Sequence, residues 1–138
     1  MEFKKHFITI GILGASVVAL GAFGAHGLKN QVSTGLISPD QLNGFDTGVK
    51  YQMYHTLAML LLIALQNKLS LKFFKWTWNL FLVGIILFSG SLYFLTTRNL
   101  YGMEFLTFLG PITPIGGICF MAGWIMFAVA GFKSSKQP

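Results

Sequence analysis

Four long apolar runs divide the chain, and the polar residues gather in the gaps between them. The first run goes from Phe7 to about Leu28, the third from about Trp76 to Thr97, and the fourth from about Phe105 to Phe132. The second is strongest from Thr56 to Leu65, which is too short to cross ~30 Å of hydrocarbon at ~1.5 Å per residue. It must borrow residues upstream from about Thr47, giving spans of about 7–28, 47–67, 76–97 and 112–132.

Between the first two spans the pattern changes period. Ser38, Pro39 and Gln41 read as a helix start, with Ser at the N-cap, Pro in the first turn and Gln three residues after the cap. Leu42, Phe45 and Val49 then recur at helical spacing opposite Asp40, Asp46 and Lys50. That pattern predicts an interfacial amphipathic helix which bends into the second span near Gly44 and Gly48. In the fourth run Gly110, Pro111 and Pro114 predict an irregular stretch before a regular helix.

Composition agrees with the runs. Of 138 residues, 54% are hydrophobic and only 10% charged, too few to coat a water-soluble domain. The fold class expected is an all-α membrane protein: one domain, residues 1–138, a bundle of four transmembrane helices with the interfacial helix before the second. The net charge of +6 does not imply nucleic acid, because the lysines stand singly or in pairs at the ends of apolar runs, where they suit anionic lipid and control of insertion. Lys4, Lys5, Lys68, Lys72, Lys75, Lys133 and Lys136 lie on one side, against Lys29, Lys50 and Arg98 on the other, seven to three. The bias predicts a multi-pass protein of the cell membrane with cytoplasmic N- and C-termini. Lys4 and Lys5 before an apolar run, with Ala22 and Gly24 after it, imitate a signal peptide, but the run is long enough to span and is expected to stay.

Candidate chemistry is sparse. Gly11, Gly14, Gly21, Gly24 and Gly27 leave a bare strip on the first span, and Gly116, Gly117 and Gly123 do the same on the fourth; such strips let helices pack closely. Scarce polar residues converge by depth: His26 sits ~30 Å along span one, His55 ~17 to 24 Å, Ser91 ~22 Å and Thr113 ~28 Å from the terminal side of their spans. With Gln52, Tyr54, Ser89 and Tyr93 they outline a polar pocket in the outer half, where intramembrane polar groups either satisfy one another or line a site. His6, among lysines, is expected to be solvated, and the lone Cys119, in an apolar run, to be buried and inert.

No metal or cofactor is predicted. His26 and His55 without an adjacent carboxylate or thiolate make an incomplete zinc site, and two histidines in four spans are not specific for haem. No acid, base and nucleophile set is recognisable. The leading expectation is a non-enzymatic protein whose pocket takes a lipid-like or quinone-like ligand or a partner helix, with membrane lipid and a second copy of the chain as the other partners. A small oligomeric transporter or channel is the alternative, and a lipid-modifying enzyme a more distant one.

The motifs 21–28 (GAFGAHGL), 51–57 (YQMYHTL), 88–93 (FSGSLY) and 110–117 (GPITPIGG), followed by Gly123-Trp124, resemble the bacterial family known as uncharacterised protein family 0382, or domain of unknown function 423. Vertebrate transmembrane protein 256 is similar to it at a greater distance. The resemblance covers nearly the whole chain. It implies a small multi-pass protein of the bacterial cell membrane with an uncleaved first span, and it assigns no role to any residue.

Overall fold

A computed structural model describes residues 2–134, and all regular structure among them is helical. Lys136, counted above with the basic side, lies outside the described residues. Helix α1 runs Glu2–Ala22, passes through a π-helical turn at Phe23–Leu28 and ends Lys29–Ser33. It stops at Gly35, whose φ of 77° places it in the left-handed region. The Gly35 N–H donates to the Val32 carbonyl and the Leu36 N–H to that of Gln31, the paired bonds of a Schellman stop.

Helix α2, Pro39–Ala64, opens with the expected capping box. Ser38 Oγ accepts from the Gln41 N–H at 3.1 Å, and Gln41 Oε1 accepts from the Ser38 N–H at 2.9 Å. The separate interfacial helix does not form: Pro39–Ala64 is one uninterrupted helix of 26 residues. Gly44 and Gly48 do not break it, because both are packing positions. A Cβ on Gly44 would lie 2.9 Å from the Thr96 methyl, and one on Gly48 3.0 Å from the Tyr93 ring. The amphipathic pattern itself holds, with Phe45 buried while Asp46 and Lys50 are exposed and paired at 2.6 Å.

A short 3-10 turn, Gln66–Lys68, leads to helix α3, which is α-helical over Leu71–Gly84, π-helical over Ile85–Gly90 and α-helical again over Ser91–Thr97. Two 3-10 turns, Arg98–Tyr101 and Glu104–Leu109, occupy the expected irregular stretch before helix α4, Ile112–Ser134.

Successive helices run antiparallel. His6 near the start of α1 lies edge-on to Trp78 near the start of α3, and Lys133 near the end of α4 sits over the Phe73 ring, so both ends of the described chain lie beside the α2–α3 turn. His6 is therefore half-buried between Phe74 and Trp78 rather than solvated, because α1 begins alongside the first turns of α3. One apolar core fills this half of the bundle, with Met59 and Leu62 of α2, Phe81 and Ile85 of α3 and Phe120 of α4. A smaller core of Leu28, Ile37 and Phe45 closes the opposite end.

Phe3–Ser33, Leu71–Tyr101 and Glu104–Lys133 are each long and apolar enough to cross a membrane. Helix α2 has the length but not the hydropathy, since even its last 18 residues include Lys50, Gln52 and His55. Apolar side chains cover the outside of all four helices, among them Ile12, Leu57, Ile86 and Ile125. An outer surface of this kind is solvated by lipid chains.

Candidate functional site

Polar side chains of three helices meet between the two apolar cores. Gln52 of α2 donates from Nε2 to the Leu13 carbonyl at 3.0 Å and to Ser16 Oγ at 2.8 Å, both on α1. Its Oε1 accepts from the Tyr93 hydroxyl of α3 at 2.7 Å. Both ends of the amide are thus used, and one buried side chain ties α1, α2 and α3 together. Ser89, fully buried one turn before Tyr93, lies beside the Tyr93 hydroxyl without a well-formed hydrogen bond.

A second pair joins α3 to α4: the hydroxyls of Ser91 and Thr113 are 2.6 Å apart, and Ser91 also donates to the Phe88 carbonyl. Close packing accompanies it. A Cβ built on Gly116 would stand 2.3 Å from the Phe88 nitrogen, so α4 rests directly on the backbone of α3 at the π turn. Gly84 receives the Phe120 ring and Gly123 the Phe81 ring in the same interface.

His55 forms the third group. Its ring lies flat on Phe120, with centroids 3.5 Å apart and planes 8° from parallel. Nδ1 lies 2.7 Å from the Tyr51 carbonyl, and Nε2 lies 3.2 Å from the Trp124 indole nitrogen. An indole N–H only donates and a carbonyl only accepts, so Nε2 must be the acceptor and Nδ1 must carry the hydrogen. The arrangement selects the neutral Nδ1–H tautomer and commits both nitrogens.

Beside this ring a groove of about 610 Å³ opens on the outer surface between α2 and α4. Tyr51, Tyr54, Phe88 and Met121 form its walls, with Gly117 leaving room on the α4 side and His55, Phe120 and Trp124 behind. Neither the Tyr51 nor the Tyr54 hydroxyl bonds to a protein group among the described residues.

The structure brings Gln52, Tyr93 and Ser89 together, pairs Ser91 with Thr113 and sets His55 on α4. It leaves His26 apart: that side chain is exposed on the π turn of α1 and touches none of these groups. Tyr54 is exposed at the lip of the groove. Gly21 meets Val49 at 3.5 Å and Gly24 meets Phe45 at 3.1 Å, whereas a Cβ on Gly11 or Gly14 would meet nothing within 4 Å. A Cβ on Gly27 would meet only Phe23 of its own helix, and one on Gly117 would touch Phe88 at 3.8 Å. No group of three or more potential metal ligands occurs among the described residues.

Sequence reasoning passed over Ser16 and Trp124. A donor-only indole within an apolar span demands an acceptor, and that demand was the available signal for Trp124. Ser16 carried none, since a serine within a helix is satisfied by its own preceding turn, as its bond to the Leu13 carbonyl shows.

The profile of the family described as protein of unknown function DUF423 matches residues 20–117. The UPF0382 membrane protein SAB0533 of Staphylococcus aureus (strain bovine RF122 / ET3-1) is 43% identical over 130 residues, covering 94% of this chain and 97% of that protein. The UPF0382 membrane protein YwdK of Bacillus subtilis (strain 168) is also 43% identical, covering 94% and 98%. The UPF0382 inner membrane protein YgdD of Escherichia coli (strain K12) is 37% identical over 138 residues, covering 99% and 96%. No solved structure matches.

Proposed function

The chain belongs to the UPF0382 (DUF423) family of membrane proteins, and from that premise we propose a single four-span domain of the cell membrane that binds a lipid-like or quinone-like molecule without transforming it. Helix α2 is the fourth span in this reading. At 26 residues it is ~39 Å long, and its Leu57, Leu60 and Leu61 are exposed where lipid would surround them. Both ends of the described chain and the α2–α3 turn share one end of the bundle with Lys4, Lys5, Lys68, Lys72, Lys75 and Lys133. The opposite end holds Lys29, Lys50 and Arg98 together with Asp40, Asp46 and Glu104. The excess of lysine assigns the first end to the cytoplasm.

The observation that carries the binding reading is the aromatic groove beside His55. At about 610 Å³ it falls in the size range of small-molecule sites, it faces the lipid, and it offers ring faces with two phenol hydroxyls for orientation. His55, the natural base of the site, has both nitrogens engaged, which supports binding over catalysis. The remaining polar residues bond chiefly to one another and to backbone, and so act as a scaffold.

The test titrates a short-chain benzoquinone and, separately, a short-chain phospholipid into protein in nanodiscs, reading the fluorescence of a Trp76→Phe, Trp78→Phe background that keeps Trp124, and native mass. The Gly117→Leu variant fills the groove where the nearest contact is an ordinary 3.8 Å. Saturable binding of either probe by the parent chain, weakened at least about tenfold in Gly117→Leu at an unchanged melting temperature, supports the reading. Binding of neither probe, or equal binding by both proteins, overturns it.

A further inference from the structure

At the lysine-rich end α1 and α3 enclose a second, chemically opposite groove. Its volume is about 400 Å³ and its lining is Lys5, His6, Thr9, Lys75, Trp78 and Asn79. Five of these six side chains are polar, and two are ammonium groups contributed by different helices. The aromatic member is placed as a floor: Trp78 is 6% exposed, and the His6 ring stands edge-on to it at 4.2 Å. The buried Nδ1 of His6 has no hydrogen-bond partner among the described residues.

From this arrangement we propose that the groove holds the phosphate of an anionic lipid headgroup. Lys5 and Lys75 supply charge from two sides, while Thr9 of α1 and Asn79 of α3 line the groove as additional polar groups. The depth suits a headgroup. Phe3–Ser33 and Leu71–Tyr101 each contain 31 residues, ~46 Å of helix against a ~30 Å hydrocarbon layer, so their first turns stand at headgroup level. The neighbouring Lys4 and Lys72 add attraction for an anionic surface, but a groove lined from both α1 and α3 offers one headgroup a defined place that a diffuse cloud lacks. The site is separate from the aromatic groove, and its test does not depend on what that groove binds.

The experiment uses the full chain in nanodiscs of phosphatidylcholine, adds phosphatidylglycerol at fixed excess, and reads adducts by native mass spectrometry. Lys5→Gln with Lys75→Gln is expected to lower phosphatidylglycerol occupancy roughly thirtyfold. Lys68→Gln with Lys72→Gln removes the same charge from the same end outside the groove and is expected to change it less than about threefold. Asn79→Leu, which leaves the charge untouched, is expected to weaken binding as well. Lys5→Arg with Lys75→Arg keeps the charge and should retain adducts, so that a loss in the glutamine pair is not a loss of fold. Inorganic phosphate added to the bound protein separates the sources: retained adducts assign the groove to lipid, and full displacement at millimolar phosphate overturns that in favour of a soluble phosphate. Equal losses in the two lysine pairs, or no preference for phosphatidylglycerol over phosphatidylcholine in the parent chain, also overturn the proposal.

Discussion

The indole of Trp124 donates to Nε2 of His55 across the α2–α4 contact, and the far side of the same imidazole bonds the Tyr51 carbonyl one turn back along α2. Removing Trp124 leaves the acceptor nitrogen of a buried imidazole unsatisfied, and removing His55 leaves the indole N–H without its partner, whereas removing both leaves neither. Trp124→Phe and His55→Phe are each expected to destabilise the fold by about 1–3 kcal/mol, and the double variant by less than their sum. A double-mutant cycle of thermal unfolding in detergent should return a coupling of about 0.5–1.5 kcal/mol. Strict additivity would mean that the bond contributes nothing.

Gln52 has a larger reach, because its amide serves three helices at once. Gln52→Leu strands the Tyr93 hydroxyl, and a loss of about 2–3 kcal/mol is expected. Tyr93→Phe should cost less, about 1 kcal/mol, since the amide keeps both of its α1 partners. Hydrogen exchange should show α1 loosening first in Gln52→Leu, with the α3–α4 pair still protected.

Glycines that look alike in the sequence are expected to behave oppositely. Gly116→Ala places a methyl group 2.3 Å from backbone that cannot rotate aside, so several kcal/mol of destabilisation or failure to fold is expected. Gly11→Ala and Gly14→Ala meet open space and should change the melting free energy by less than about 0.5 kcal/mol.

Orientation can be read by labelling. In a Cys119→Ser background, single cysteines at Thr34 and Asn67 occupy exposed turns at opposite ends of α1 and α2. A membrane-impermeant maleimide added to intact cells should label Thr34→Cys at once and Asn67→Cys only after permeabilisation. The reverse pattern would invert the topology.

The helical segments were legible because period and punctuation agree: Ser38, Pro39 and Gln41 form the cap their spacing implies, and α4 starts at Ile112, after Gly110 and Pro111 and with Pro114 in its first turn. The shared level of Gln52 with Tyr93, and of Ser91 with Thr113, was legible too, since it needs only the rise per residue. Their bearing around each helix axis was not. His26 and Tyr93 follow or lie within stretches containing a π turn, where the extra residue rotates everything beyond it relative to an ideal helix, and His26 turns outward while Tyr93 turns in to Gln52. The helix continues unbroken through Gly44 and Gly48 for a related reason. A glycine read alone signals weakness in a helix, but only the neighbouring helix reveals whether its missing side chain is a place for Thr96 or Tyr93.

Contact between Gly116 and the Leu87–Phe88 backbone also limits how this protein can move. Sliding α4 by one turn along α3 would bring Ile112 or Phe120 to the spot that admits no Cβ. The α3–α4 hairpin is therefore a single-register gear that cannot ratchet. Relative motion is left to the seam between α1 and the rest of the bundle, where the Gln52 amide and its partners can part and rejoin without a backbone collision.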